Sequence, residues 1–145
     1  MGASIAAVIT AAGVSRRMGG TKKEYRNLGE GFVDEEGNPL SVLGASVLAF
    51  SSCPEIEYLV ITVPADPVNG EMAARSALPA SVSRKDFRPK VIFVPGSVTR
   101  RGSVHNALKL LAAYPVDYTL IHDGARPWLA PDLIHDLIAA DWRRR

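Results

Sequence analysis

The chain has 145 residues, 47% of them hydrophobic, with 17 Lys and Arg against 15 Asp and Glu and a net charge of +2. This length and composition suit one domain, residues 1–145, with a core of its own. The near balance of charge provides no overall field for nucleic acid, so we expect no nucleic-acid partner. A single Cys53 excludes an internal disulfide, and with only three histidines it argues against a Cys/His zinc site. This cysteine usage fits a reducing cytoplasm.

The apolar run near the N-terminus is short and has no basic residues ahead of it. It ends at Gly13, which is too early for a membrane-spanning helix, and it lacks the features of a signal peptide. We therefore interpret residues 5–10 as a buried first strand and expect no membrane partner.

Strand-like and helix-like patterns alternate along the chain. Strands are predicted at 5–10, 58–63, 91–94 and 118–121, and helices at 39–52, 70–78, 99–111 and 131–142. The glycine-bearing stretch 25–38 is predicted to be a hairpin or irregular excursion, and 81–89 a loop. The alternation indicates an α/β, Rossmann-like fold of three layers, with a mostly parallel sheet between helices. Ligands of such sheets lie at the carboxyl ends of the strands.

The first strand runs into the loop AAGVSRRMGGTKKEY, residues 11–25. Its small residues leave backbone N–H groups open to a polyphosphate, and Gly19 and Gly20 allow the loop to double back and bring Lys23 towards Gly13. The spacing matches neither the dinucleotide-binding fingerprint nor the Walker loop. The alternative is a tight turn followed by a solvated basic patch. The charge comes from Arg16, Arg17, Lys22 and Lys23.

Two further motifs follow the third and fourth strands. In PGSVTRRGSVHNAL, residues 95–108, Thr99 is a candidate helix N-cap. In IHDGARP, residues 121–127, Asp123 is a candidate Mg²⁺ ligand, because this ion takes one or two carboxylates together with substrate phosphates. The alternative for Asp123 is a turn-capping role. We interpret His122 as a packed histidine rather than a base.

Together and in this order, the three motifs resemble those of the 2-C-methyl-D-erythritol 4-phosphate cytidylyltransferases, and the resemblance spans essentially the whole chain. It implies a nucleotide-binding domain that transfers a cytidylyl group from CTP to this polyol phosphate in the non-mevalonate isoprenoid pathway. It also implies Mg²⁺, or another divalent cation, as cofactor. The resemblance assigns catalysis to Arg17 and Lys23, the metal to Asp123 and the acceptor phosphate to Arg126. It assigns nucleotide contacts to Thr10, Ala11, Ala12, Gly13, Gly96, Ser97, Ser103, Asp123 and Gly124.

The chain departs from the usual pattern of the family at a few positions. Thr10 replaces proline, Glu24 replaces glutamine, Ser97 replaces glycine, and Arg101-Gly102 replaces a Gln-Asp-like pair. The last two changes lie in the segment that the resemblance assigns to the base pocket. The choice between cytosine and another pyrimidine therefore stays open.

The resemblance also bears on length and on alternatives. Family chains continue further, into a part with sugar-phosphate residues and a homodimerising β-arm, so we expect the 145-residue chain alone to be truncated and inactive. The near alternative is a ribitol phosphate cytidylyltransferase or a related sugar-phosphate nucleotidyltransferase. The alternative from another class of function is a non-catalytic nucleotide-binding fragment. The charge of the tail 142–145, a tryptophan followed by three arginines, is interpreted as solvated.

Overall fold

The computed structural model describes residues 2–13, 22–126 and 128–143, without the side chains of 141–143. Four strands form one parallel sheet, in the order β3-β2-β1-β4. The strands are β1 (Ile5–Thr10), β2 (Ile56–Val63), β3 (Lys90–Pro95) and β4 (Tyr118–Asp123). The helices are α1 (Val42–Ser51), α2 (Glu71–Ser76), α3 (Arg100–Leu111) and α4 (Pro131–Arg143). The predicted α/β fold with a parallel sheet is confirmed.

The central strand β1 is buried on both faces and separates two cores. Ile5, Ala7 and Ile9 join a cluster that includes residues of α1, α2 and α4. Ala6 and Val8 point the other way, into a cluster with Ala107 and Leu111 of α3. This alternation of side chains produces the three layers expected from the sequence.

Several element boundaries differ from the prediction because tertiary contacts set them. β4 continues two residues beyond Ile121, since its register with β1 pairs Thr10 with Asp123. α1 begins at Val42 rather than near Pro39, because the Ser41 hydroxyl accepts the Gly44 N–H at 2.8 Å and caps the helix. The predicted cap of α3 is confirmed, with the Thr99 hydroxyl accepting the Gly102 N–H at 2.9 Å.

The excursion after the first loop is hairpin-like, as predicted. Antiparallel bridges join Asn27 to Ser41 and Val33 to Pro39. In its turn the Asp34 carboxylate accepts backbone N–H groups, which holds the pKa of that carboxyl below its usual range. The stretch expected to be a loop from residue 81 contains a short 3₁₀ helix, Ala80–Ser83. No helix in the described part of the chain has the length and apolar character needed to cross a bilayer.

Candidate functional site

The three motif-bearing segments meet at the carboxyl edge of the sheet. The Gly124 N–H donates to the Thr10 carbonyl at 2.9 Å, and a Cβ on Gly124 would lie 2.7 Å from that oxygen. A Cβ on Gly96 would overlap the Ala12 side chain and lie 2.7 Å from the Ser103 hydroxyl oxygen. Glycine is therefore required at both positions for the loops after β1, β3 and β4 to approach so closely.

A small cavity of about 170 Å³ lies where these segments meet. Its lining combines main-chain and hydroxyl groups with one arginine and two carboxylates, so a ligand there would meet polar groups and charges of both signs. It is lined by Thr10, Ala12, Gly13, Glu24, Ser97, Val98, Thr99, Arg100, Ser103 and Asp123. Six of the residues that the sequence assigned to nucleotide binding are therefore brought together here: Thr10, Ala12, Gly13, Ser97, Ser103 and Asp123.

Some of the backbone N–H groups predicted to bind phosphate already have partners within the chain. The Ala11 N–H is used within the sheet, where it donates to the Thr62 carbonyl at 3.0 Å and lies 3.1 Å from the Thr62 hydroxyl. The N–H groups of Ala12 and Gly13 make no hydrogen bond to any residue that the structure describes. These two donors border the cavity and are available to phosphate oxygens.

A buried ion pair lies beside these donors. The Lys22 ammonium donates to the Gly13 carbonyl and lies 3.4 Å from Oε2 of Glu24, and the two residues are only 3% and 7% exposed. Oε2 of Glu24 accepts no hydrogen bond among the described residues, so the Lys22 charge is what compensates its burial. Lys22, rather than the expected Lys23, approaches Gly13. Lys23 opens a 3₁₀ helix and is exposed.

Asp123 lines the cavity and has one uncommitted carboxylate oxygen. Its Oδ1 accepts the Ala125 N–H at 3.0 Å, whereas Oδ2 makes no hydrogen bond or ion pair with the described residues. The same ranges contain no cluster of three or more His, Cys, Asp or Glu that suits a metal. One uncommitted carboxylate oxygen beside the candidate phosphate-binding loop fits Mg²⁺, which usually retains waters and substrate phosphates as its other ligands.

Ser103 shapes the loop that follows β3. Its buried hydroxyl accepts the Ser97 N–H at 2.9 Å and lies 3.1 Å from the Thr99 carbonyl and 3.3 Å from the Ser97 carbonyl. Because both neighbouring acceptors are backbone carbonyls, the hydroxyl proton is committed to one of them. Ser103 therefore holds the cavity wall and retains acceptor capacity only.

His122 lies away from the cavity, on the α1 side of the sheet. Its Nε2 is 2.9 Å from the Arg126 carbonyl, and its ring packs edge-on against Phe50 at 5.9 Å. Burial lowers the pKa of this imidazole and favours its neutral form. The side chain of Arg126 is exposed, and Arg17 lies outside the described residues. Sequence reasoning did not anticipate the Lys22–Glu24 pair, because its burial depends on the fold, or the partners of His122, because Ser46 and Phe50 are distant in sequence.

The comparisons with known proteins agree with the three motifs. The family model of 2-C-methyl-D-erythritol 4-phosphate cytidylyltransferase (IspD) matches residues 5–144. The chain belongs to this family. The resemblance inferred from the sequence is thereby confirmed.

Individual family members match nearly all of this chain but only part of their own length. The cytidylyltransferase of Syntrophotalea carbinolica is 33% identical over 138 residues, which are 94% of this chain and 53% of that protein. The cytidylyltransferase of Cereibacter sphaeroides is 35% identical over 136 residues, which are 93% of this chain and 52% of that protein. The crystal structure of 4-diphosphocytidyl-2C-methyl-D-erythritol synthase from Anaerococcus prevotii matches with a TM-score of 0.65 at 25% identity, covering 95% of this chain and 51% of that one. The chain thus spans about half the length of these family members.

Proposed function

We propose that residues 1–145 form a nucleotide-binding domain of a cytidylyltransferase that transfers the cytidylyl group of CTP to 2-C-methyl-D-erythritol 4-phosphate and releases pyrophosphate. The observation that carries this proposal is the meeting of three loops around one cavity. Its lining contains the Asp123 carboxylate and the N–H groups of Ala12 and Gly13, which have no partner among the described residues. Because the chain spans about half of its relatives, the complete reaction is proposed for the whole protein.

The nucleotide would lie across the carboxyl edge with its phosphates on the first loop. Ala12 and Gly13 donate to phosphate oxygens, and their lack of bulk allows close approach of the backbone. The segment from Gly96 to Ser103, held by the Ser103 hydroxyl, encloses the base. Close main-chain walls on both sides of the base favour a pyrimidine over a purine.

Charge on the triphosphate would be balanced from two sides. When bound at Asp123, Mg²⁺ would supply electrostatic stabilisation of the phosphates. The resemblance to the family assigns the catalytic role to Lys23, together with Arg17, whereas Lys22 contacts Gly13 and Glu24. These cations act on charge that builds at the α-phosphorus, which is the main protein contribution in this type of transfer.

The reaction itself needs no strong base from the protein. The acceptor phosphate is largely dianionic at neutral pH, because its second pKa is about 6. One of its oxygens attacks the α-phosphorus of CTP, the bond to the bridging oxygen breaks, and pyrophosphate leaves in line. His122, whose Nε2 faces the Arg126 carbonyl, is not required as a base. The exposed Arg126 would meet the phosphate of the acceptor.

Calorimetry with CTP, UTP and ATP, with and without Mg²⁺, tests the nucleotide assignment. We expect CTP to bind most tightly and to depend on Mg²⁺, whereas ATP bound as tightly as CTP would contradict the proposal. Fusion to the remaining segment of the Syntrophotalea carbinolica enzyme then allows turnover to be measured. Faster pyrophosphate release with 2-C-methyl-D-erythritol 4-phosphate than with ribitol phosphate is the expected result, and the reverse preference would identify the alternative acceptor.

A further inference from the structure

A buried hydroxyl on α1 reaches the turn that follows β4. Ser46 is completely buried, and its Oγ lies 3.2 Å from Nε2 of His122 and 3.4 Å from the Arg126 carbonyl oxygen. Nε2 of His122 lies 2.9 Å from the same carbonyl. A helix, the end of a strand and a turn therefore converge on one backbone oxygen.

The direction of these hydrogen bonds follows from the acceptor. A carbonyl oxygen only accepts, so Nε2 of His122 carries the hydrogen and donates to Arg126. The Ser46 hydroxyl is placed to donate to the same oxygen, although at a longer distance. Because residue 127 is a proline, the next peptide offers no N–H of its own.

The same turn holds the carboxylate that faces the cavity. Its start is fixed to β1 by the Gly124 N–H, and the Arg126 N–H donates back to the Asp123 carbonyl at 3.1 Å. In the part of the chain that the structure describes, the Arg126 carbonyl is contacted only by His122 and Ser46. Successive side chains of a strand point to opposite faces, so His122 reaches α1 while Asp123 does not.

We propose that His122 and Ser46 are positioning residues that fix the turn from Asp123 to Arg126, and thereby orient the Asp123 carboxylate for a divalent cation bound with the nucleotide. This role rests on the proposed function. Neither side chain lines the cavity, so each acts through the Arg126 carbonyl. Without these donors, the Arg126 carbonyl would lose its hydrogen bonds. Among the described residues, the turn would then be held to the rest of the sheet only through the Gly124 N–H.

Four variants test this role. His122→Leu removes the donor, and His122→Gln keeps an amide N–H at about the reach of Nε2. Ser46→Ala removes the second donor with little loss of volume, and His105→Leu, at an exposed position on α3, is the matched control. For each we would measure CTP affinity by calorimetry across a Mg²⁺ titration, and hydrogen exchange at the Arg126 and Ala11 amides.

We expect His122→Leu to raise the Mg²⁺ concentration needed for CTP binding about tenfold, the lower end of what loss of an outer-shell partner of a metal site costs. His122→Gln should recover most of this loss, and Ser46→Ala should produce a smaller loss. Exchange at the Arg126 amide should accelerate in His122→Leu, whereas the Ala11 amide, which reports on the sheet, should not change. His105→Leu should behave as the wild type.

An unchanged Mg²⁺ requirement in His122→Leu would overturn the proposal, as would equal acceleration at both amides, which indicates general destabilisation. If His122→Leu does not fold, Ser46→Ala with wild-type Mg²⁺ dependence and unchanged Arg126 exchange would overturn it. A wild-type chain that binds no CTP would contradict the proposed function instead. The amide exchange would then still decide whether the two residues hold the turn.

Discussion

Two neighbouring regions of β4 differ in how their surface groups are satisfied. At the carboxyl end of the strand, hydrogen bonds from Gly124 and His122 tie the following turn to β1 and to Arg126. Along its flank, β4 is an edge strand in the described sheet and borders a groove of about 260 Å³ beside α4. The groove is lined by Ala3, Ile5, Tyr118, Thr119, Leu120, Leu137 and Ile138.

The difference shows that the turn at the carboxyl end of β4 is held by hydrogen bonds within this chain, whereas the flank presents apolar surface. Leu133 and Leu137 of α4 are each 51% exposed. Exposed apolar side chains next to an unpaired strand edge favour association with another surface. Substitutions at the carboxyl end should therefore alter nucleotide binding without altering association, and substitutions on the flank should do the reverse.

The largest expected effect comes from Asp123→Asn, which keeps the shape of the side chain but removes its charge. The Mg²⁺ concentration needed for CTP binding should rise by more than the roughly 10–100-fold typical of outer-shell changes at metal sites. A calorimetric Mg²⁺ titration measures it, with Asp132→Asn at the start of α4 as the control. A Mg²⁺ curve identical to wild type would mean that Asp123 serves only the turn, and altered association would break the proposed independence of the two regions.

Ser103→Ala should weaken the same end of the sheet by a different route. It leaves the Ser97 N–H without its acceptor, which costs about 1–3 kcal/mol of unfolding free energy when the group stays shielded from water. CTP affinity should fall as well, because the wall of the cavity loses its tie to α3. Urea unfolding and calorimetry measure the two effects, with the exposed Ser83→Ala as control. Wild-type CTP affinity in a destabilised variant would show that the loop held by Ser103 does not contribute to nucleotide binding.

The parts of the molecule that sequence reasoning anticipated are those with a local signal. The continuous apolar run of β1 and the Thr99 cap of α3 are legible in a few adjacent residues. The extension of β4 to Asp123 is not, because it depends on pairing with Thr10 across 113 residues. Likewise, nothing near Ser46 indicates that its hydroxyl meets a histidine 76 residues away. The site was predictable as a set of loops, and its supporting contacts were not.

Leu137→Lys tests the flank. Removing a half-exposed leucine from an apolar contact should weaken association by about 1–2 kcal/mol, part of the transfer free energy of a leucine side chain. That is roughly a 5–30-fold higher dissociation constant. Sedimentation velocity over a range of concentrations measures it, and Leu108→Lys, a 43% exposed position on α3, is the matched control. Equal effects from both variants would show that association does not use the α4 flank.

The smallest expected effect concerns Tyr25, whose hydroxyl donates to the Asn69 carbonyl at 2.6 Å and anchors the 3₁₀ helix of Lys23. Burial, with the nearby charges of Glu24 and Asp66, raises the pKa of this hydroxyl above its usual range. Above about pH 10 the unfolded chain releases this proton while the folded chain retains it, so stability falls as the pH rises.

Tyr25→Phe should cost about 0.5–1.5 kcal/mol at neutral pH through the lost hydrogen bond. It should also lose less stability than wild type between pH 9 and about 11, near the tyrosine pKa. Guanidinium unfolding at both pH values measures the difference, and equal alkaline losses in the two proteins would show that Tyr25 does not contribute to this pH dependence.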